Sequence, residues 1–178
     1  LAQEFSEADI RQPMRPNGVS DPKDKDYLSL VSGKFADYRL EIVGLVHKPL
    51  SLSLADLRSM PQRTQITRHD CVEGWSCIAK WTGTPVAKVL DVAGVKDSAR
   101  YLLIECYDTI EQSLSGSIKY YESIDLADAR HPQTILAWGM NGADLPVANG
   151  APVRMRVERQ LGYKQAKFIR KITLVDDF

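Results

Sequence analysis

A chain of 178 residues can bury a substantial single core and is too short for two full-sized domains. Hydrophobic residues make up 44% and charged residues 26%, with 23 basic side chains against 23 acidic ones. That balance describes a globular domain and removes any global charge that would draw in nucleic acid or an anionic membrane.

Residues 1–35 are polar, and Pro13, Pro16, Asn17-Gly18 and Asp21-Pro22 break every period. They read as an N-terminal arm or loop lying on the domain, or as a mobile terminus. The domain itself is expected over 36–178. Tyr38, Leu40, Ile42 and Val46 alternate with Arg39 and Glu41, which predicts a half-buried strand. Leu54, Leu57 and Arg58 suggest a short helix capped at Ser53 and closed before Pro61. A strand over 63–72 delivers Cys71. Thr84-Pro85 reads as a cap with proline in the first turn, opening an amphipathic helix on Val86, Val89, Leu90 and Ala93 that Gly94 closes.

Tyr101–Tyr107 is an apolar run expected to form a strand buried on both faces, followed by a Ser/Gly-rich loop over 108–119. Ser123 is placed to cap a helix across 125–129. Thr134–Met140 predicts a strand that ends in Asn141-Gly142, a strong two-residue hairpin turn. Strands at 152–158 and 166–175 complete the count. Many strands with few short helices give an α+β domain around a mixed β-sheet. No apolar run approaches the roughly 18 residues that cross a membrane as a helix.

Two stretches carry candidate chemistry. The first is Arg68-His69-Asp70-Cys71-Val72-Glu73-Gly74-Trp75-Ser76, in which a strand ends on a cysteine and breaks into glycine and tryptophan. Three cysteines leave at least one thiol outside any internal disulfide. Cys71 and Cys77 lack zinc spacing, and no Cys-x-x-Cys redox pair exists. Cys71 is either a buried structural thiol or a thiolate presented to a metal. His69 either titrates near neutrality and moves a catalytic proton, or is a structural histidine beside a buried strand.

The second stretch is 154–171, with seven basic residues (Arg154, Arg156, Arg159, Lys164, Lys167, Arg170, Lys171) and one acid, Glu158. In the strand there, Val153, Met155 and Val157 point one way and Arg154 and Arg156 the other. The cationic face is either solvated or lines a pocket for a phosphate-like anion, which guanidinium forks bind bidentately. One basic strand pair in a neutral chain is a thin footprint for nucleic acid, which is not expected as a partner.

Cys71-Val-Glu-Gly-Trp-Ser, with Trp81-Thr-Gly83-Thr-Pro85 following it, and Asn149-Gly-Ala-Pro-Val-Arg154, with Gly162-Tyr-Lys-Gln-Ala-Lys167 following that, together resemble the molybdopterin domain of the sulfite oxidase family. The resemblance spans 38–178. It is strongest to the bacterial periplasmic branch that includes the catalytic subunit of the methionine sulfoxide reductase system. It implies a molybdenum-molybdopterin cofactor whose only protein ligand to molybdenum is Cys71. It also implies that Asn149 and Arg154 contact the pterin and its phosphate, and that Gln165, Ala166 and Lys167 add backbone and ammonium contacts. Cys106 falls where that branch has a threonine lining the pterin; the bare sequence reads it equally as a core residue of its strand.

The arm departs from the family pattern, Arg15-Pro16-Asn17 being a loose match for the segment relatives contribute there. No haem attachment motif is present in these 178 residues, so no haem is expected, and the extra dimerisation domain of the sulfite oxidases proper is not present in them either. By this resemblance the chain is expected to be an exported, periplasmic oxidoreductase; its first residue, Leu1, agrees with removal of a signal peptide and equally with a trimmed sequence. Sulfite-oxidising relatives carry an arginine five residues after the cysteine, where this chain has Ser76. That difference favours reduction of small S- or N-oxides, with electrons from a membrane-bound haem or quinone-linked subunit. The alternatives are a sulfite dehydrogenase and a non-catalytic anion-binding module. Trp75, Trp81 and His131 read as packing residues.

Overall fold

A computed structural model of the chain describes residues 1–10, 22–70, 76–113, 116–158 and 165–177, with the backbone alone over 108–121. The strands described are β1 (Leu40–Gly44), β2 (Leu50–Leu52), β3 (Arg63–Asp70), β4 (Ser76–Pro85), β5 (Tyr101–Ser113), β6 (Gly116–Asp125), β7 (Ile135–Met140), β8 (Ala143–Asp144), β9 (Arg154–Arg156) and β10 (Ile169–Val175). The helices are α1 (Lys25–Ser32), α2 (Leu54–Ser59), α3 (Val86–Ala93) and α4 (Leu126–Ala129). One sheet runs β2-β1-β10-β5-β6 and is mixed, β1 and β10 being parallel and the other ladders antiparallel. The other runs β3-β4-β7-β8, with β9 also paired to β7. The α+β class with a mixed sheet is what the strand patterning led us to expect.

The main core lies between the sheets. Leu40 and Ile42 of β1, Leu102 and Ile104 of β5, and Ile172 and Leu174 of β10 meet Val86, Val89 and Leu90 of α3 together with Leu136, Val153, Met155 and Val157 of the second sheet. The helix α3 ends at Gly94 as its periodicity predicts. A smaller cluster of Cys77, Ala79, Trp81, Ile135, Ala137, Met140 and Leu145 forms apart from it.

Local signals set several boundaries. Ser53 caps α2 through a reciprocal box, its hydroxyl accepting from Asp56 N (3.0 Å) while Asp56 Oδ2 accepts from Ser53 N (2.9 Å). Asn141 and Gly142 both take positive φ (52° and 83°), the paired left-handed conformation a two-residue hairpin needs.

Other expectations fail for identifiable reasons. Thr84 does not cap α3: it pairs with Leu136 in β4, and its hydroxyl donates to Leu57 O (2.7 Å). The α4 cap is Asp125, which accepts from Asp128 N (2.7 Å), so Ser123 remains in β6. The described parts of the 108–119 stretch, 108–113 and 116–119, are not an open loop, because their backbone extends the β5–β6 pairing with register shifts. Within β5 only alternate residues of 101–106 are fully buried, since Tyr101, Leu103 and Glu105 lie on a half-covered face. Part of the irregular arm is helical: Asp24 caps α1 by accepting from Tyr27 N (3.0 Å), and Tyr27 is fully buried.

Candidate functional site: a buried cationic face on the second sheet

Alternation along three strands assembles one polar face. On β3, Gln65, Thr67 and His69 point inward, opposite Trp81, Ala79 and Cys77 of β4. On β9, Met155 enters the main core, so Arg154 and Arg156 turn to the opposite side, across from Ala137 and Ile135 of β7. The expected direction of these side chains holds, whereas the solvated reading does not. Both arginines are 0% exposed. Their guanidinium carbons lie 5.0 Å and 4.5 Å from the centre of the Trp81 ring, so this tryptophan is a cation-binding platform as well as packing.

The two arginines differ in what satisfies them. Arg156 forms a two-point pair with Glu158 (Nε–Oε1 3.3 Å, Nη2–Oε2 3.1 Å), whose side chain is 3% exposed. Glu158 Oε1 also accepts from Gln65 Nε2 (2.8 Å) and Thr67 Oγ1 (2.9 Å). Arg154 donates to two carbonyls instead, Asn149 O (3.0 Å) and Gln165 O (3.3 Å). Burial, then Arg156, push the Arg154 guanidinium well below its usual range, and Glu158 partly opposes this.

Lys167 is 6% exposed and donates to Ala148 O (2.9 Å). Gly150, at φ 113°, makes room for it: a Cβ there would stand 2.8 Å from Lys167 Cβ. Ala166 O accepts from Met155 N (2.8 Å), which ties 165–167 to β9. From the arm, Tyr27 donates its hydroxyl to Ala151 O (2.6 Å) and braces the same loop.

His69 is fully buried, and Arg156 Nη1 donates to its Nδ1. Burial first, then the charges of Arg156, Arg154 and Lys167, hold its pKa far below the ordinary histidine range. The expectation that His69 titrates near neutrality is therefore corrected: it is neutral there, because a second proton would sit among three cations in a dry site.

Asn149, Arg154, Gln165, Ala166, Lys167 and His69 are thus brought to one region. Cys106 is fully buried in the main core, paired with Ile169 on the strand that follows Lys167. Cys71, Glu73, Trp75, Arg159, Lys164 and the Arg15-Pro16-Asn17 stretch lie outside the described residues.

Three buried donors in this region have no hydrogen-bond partner among the described residues: Trp81 Nε1, Asn149 Nδ2 and Arg154 Nε. Each unmet donor costs about 1–3 kcal/mol. All three are N–H groups, so what completes them must present acceptors.

Sequence reading set Arg156 on the cationic face without a partner, and missed Glu158, Gln65 and Thr67 as the residues that hold it. The lone acid in a basic run was the available signal for Glu158. A polar cleft of about 230 Å³ opens beside the network, bounded by Gln3, Phe5, Thr67, Arg68, Asp70 and Glu158. Residues of the arm border it, with Phe5 N donating to Ile66 O (2.8 Å) and Glu4 and Glu7 pairing with Arg63 and Lys80 (2.6 Å each). Arg68 pairs with Asp70 (3.0 Å).

The model of the family described as "Oxidoreductase molybdopterin binding domain" matches residues 28–177. A curated relative from Azospira oryzae, provisionally named protein-methionine-sulfoxide reductase subunit YedZ1, is 39% identical over 143 residues, or 80% of this chain and 51% of the relative. The crystal structure of the sulfane dehydrogenase SoxCD from Paracoccus pantotrophus superposes with a TM-score of 0.70 at 26% identity, covering 79% of this chain and 39% of that one. The chain thus spans about half, or less, of the length of these relatives. A sheet that buries a cationic, donor-rich face, together with a family match over nearly its whole length, establishes that the chain belongs to the molybdopterin-binding oxidoreductase domain family, of sulfite oxidase type.

Proposed function

We propose that this domain holds a molybdenum-molybdopterin cofactor and transfers an oxygen atom, reducing S- or N-oxides with electrons from a membrane-bound haem or quinone-linked subunit on the periplasmic side. The observation that carries this reading is the set of unmet donors on Arg154, Asn149 and Trp81 beside the buried cations. Among the described residues, Arg154, Arg156 and Lys167 face one buried carboxylate, Glu158, with the half-exposed Asp70 adding a weaker field at Arg156, and His69 is neutral. A phosphate monoester, with a charge of about −1.5 to −2 near neutral pH, matches both the charge excess and the demand for acceptors. The residues present therefore fit the pterin's phosphate.

Arg154, Asn149 and Lys167 would hold that phosphate, and Cys71, as thiolate, would ligate the metal. When bound, the cofactor supplies two-electron oxygen-atom exchange; an S-oxide takes two electrons and two protons and leaves as sulfide and water. The chain's own share is placement, exclusion of water and a fixed field. Ser76 stands where sulfite-oxidising relatives carry an arginine, which leaves less cationic attraction for a dianionic substrate.

Elemental analysis and absorption spectra test the cofactor. Protein matured with molybdenum should carry about one molybdenum per chain and a thiolate-to-metal charge-transfer band, both lost in Cys71→Ser with the fold intact. A metal-free protein with unchanged function would instead indicate an anion-binding module. Sulfite-dependent dye reduction far exceeding sulfoxide-dependent dye oxidation would reverse the direction proposed.

A further inference from the structure

Two polar clefts, of about 230 Å³ and about 220 Å³, open on the second sheet, and the residues that border both are Ala2 and Glu158. The arm thus crosses over the Glu158 carboxylate and divides one groove into two. Among the described residues β3 is laddered only to β4, and it meets the chain at and after β9 through side chains. Arg156 Nη2 donates to Thr67 Oγ1 and Arg68 O (3.4 Å each), and Glu158 accepts from Gln65 and Thr67. The arm docks along this seam by polar contacts. Phe5 N donates to Ile66 O (2.8 Å), and Gln133 grips Ala2 at two points, its Oε1 accepting from Ala2 N (2.8 Å) and its Nε2 donating to Ala2 O (3.0 Å). A chain of bonds then runs from the arm to the buried pair. Arg63 pairs with Glu4 and donates Nε to Gln65 Oε1 (2.9 Å). Guanidinium nitrogens only donate, so the amide oxygen of Gln65 faces Arg63 and its Nε2 is turned to Glu158 (2.8 Å) and Gln133 O (3.0 Å).

We propose that residues 2–7 are a releasable strap that closes this groove over Glu158. Docked, the strap keeps water from the carboxylate that answers Arg156. Released, it joins the two clefts into one groove with Glu158 in its floor and frees the Gln65 amide from its fixed orientation. Its hold is of a reversible kind. Neither apolar core includes a residue of 1–10, and none of these residues is buried. Two of the fastenings are ion pairs to Glu4 and Glu7, whose side chains are 40% and 68% exposed. Exposed pairs of this sort each contribute little and weaken as salt screens them. The strap belongs to the polypeptide and does not rest on the proposed function.

Hydrogen exchange of the full chain, followed by NMR at the Phe5 backbone N–H and the Gln65 side-chain amide, tests the strap. In the wild type both should exchange slowly at low ionic strength. Both should exchange several-fold faster at about 1 M salt, where the screening length is about 3 Å, while the β5–β10 ladder stays protected. The double variant Glu4→Gln/Glu7→Gln changes only exposed arm positions. It should speed both amides at low salt and lose most of the response to added salt. Gln133→Leu removes both bonds to Ala2 and should speed them on the order of tenfold. Should Gln133→Leu fail to fold, the double variant decides alone. A freely exchanging Phe5 amide in the wild type, or equal rates in the wild type and the double variant, would overturn the proposal. So would a Phe5 amide that speeds up while the Gln65 amide does not, because the arm would then be tethered without sealing anything.

Discussion

On one side of β9, Val153, Met155 and Val157 fill an apolar core; on the other, Arg154 and Arg156 are equally dry. The apolar side is held by area removed from water, and no single partner is essential to it. The cationic side depends on named partners. Arg156 is stable there because Glu158 answers it, while Arg154 keeps part of its capacity open and leaves the folded chain with an unmet donor. The contrast teaches that burial alone does not distinguish structural from functional residues. What remains unsatisfied after burial does.

That contrast can be broken in order of severity. Arg156→Leu strands Glu158 as a lone buried carboxylate and should cost about 3–5 kcal/mol in urea unfolding, whereas Arg156→Met/Glu158→Met together should come within ~1 kcal/mol of wild type. Equal losses in the two would deny that the pair is balanced. On the apolar side, Met155→Ala should cost about 2–5 kcal/mol through the cavity it leaves, with no effect on phosphate binding.

Acid sharpens the comparison. An unfolded histidine takes up a proton as pH falls through about 6.5, while folded His69 stays neutral there. The unfolded chain then binds more protons, so this residue's contribution makes stability fall below that pH, by up to ~1.4 kcal/mol per pH unit. His69→Gln should flatten the slope of cofactor-free protein by about one proton; an unchanged slope would locate the effect elsewhere.

Arg154→Gln should change the stability of cofactor-free protein by under ~1 kcal/mol, because an unmatched buried charge is relieved as its bonds are lost. It should nevertheless abolish the rise in melting temperature on adding inorganic phosphate. Away from the cationic face, Tyr27→Phe should cost about 1 kcal/mol by leaving Ala151 O without its donor, read as a shift in the unfolding midpoint with no change in phosphate binding.

Period-two alternation foretold which side chains of 153–157 share a face, Ser53 as a cap announced α2, and Asn141-Gly142 announced the β7–β8 turn. Helix α1 was hidden because its eight residues, half of them polar, bury only one tyrosine fully, and the β5–β6 hairpin because serine and glycine mask a strand whose pairing is long-range.

The residues themselves were enough for the family blocks and the α+β class, since spacing and alternation are local properties, and the resemblance those blocks carry nominated Cys71, Asn149, Arg154 and Lys167 as candidates. Only the tertiary structure decided that the arginines are dry, that Glu158 takes one of them and leaves the other open, and that His69 is neutral. Burial and charge pairing join residues as far apart as His69 and Arg156, and no pattern within a single strand encodes that meeting.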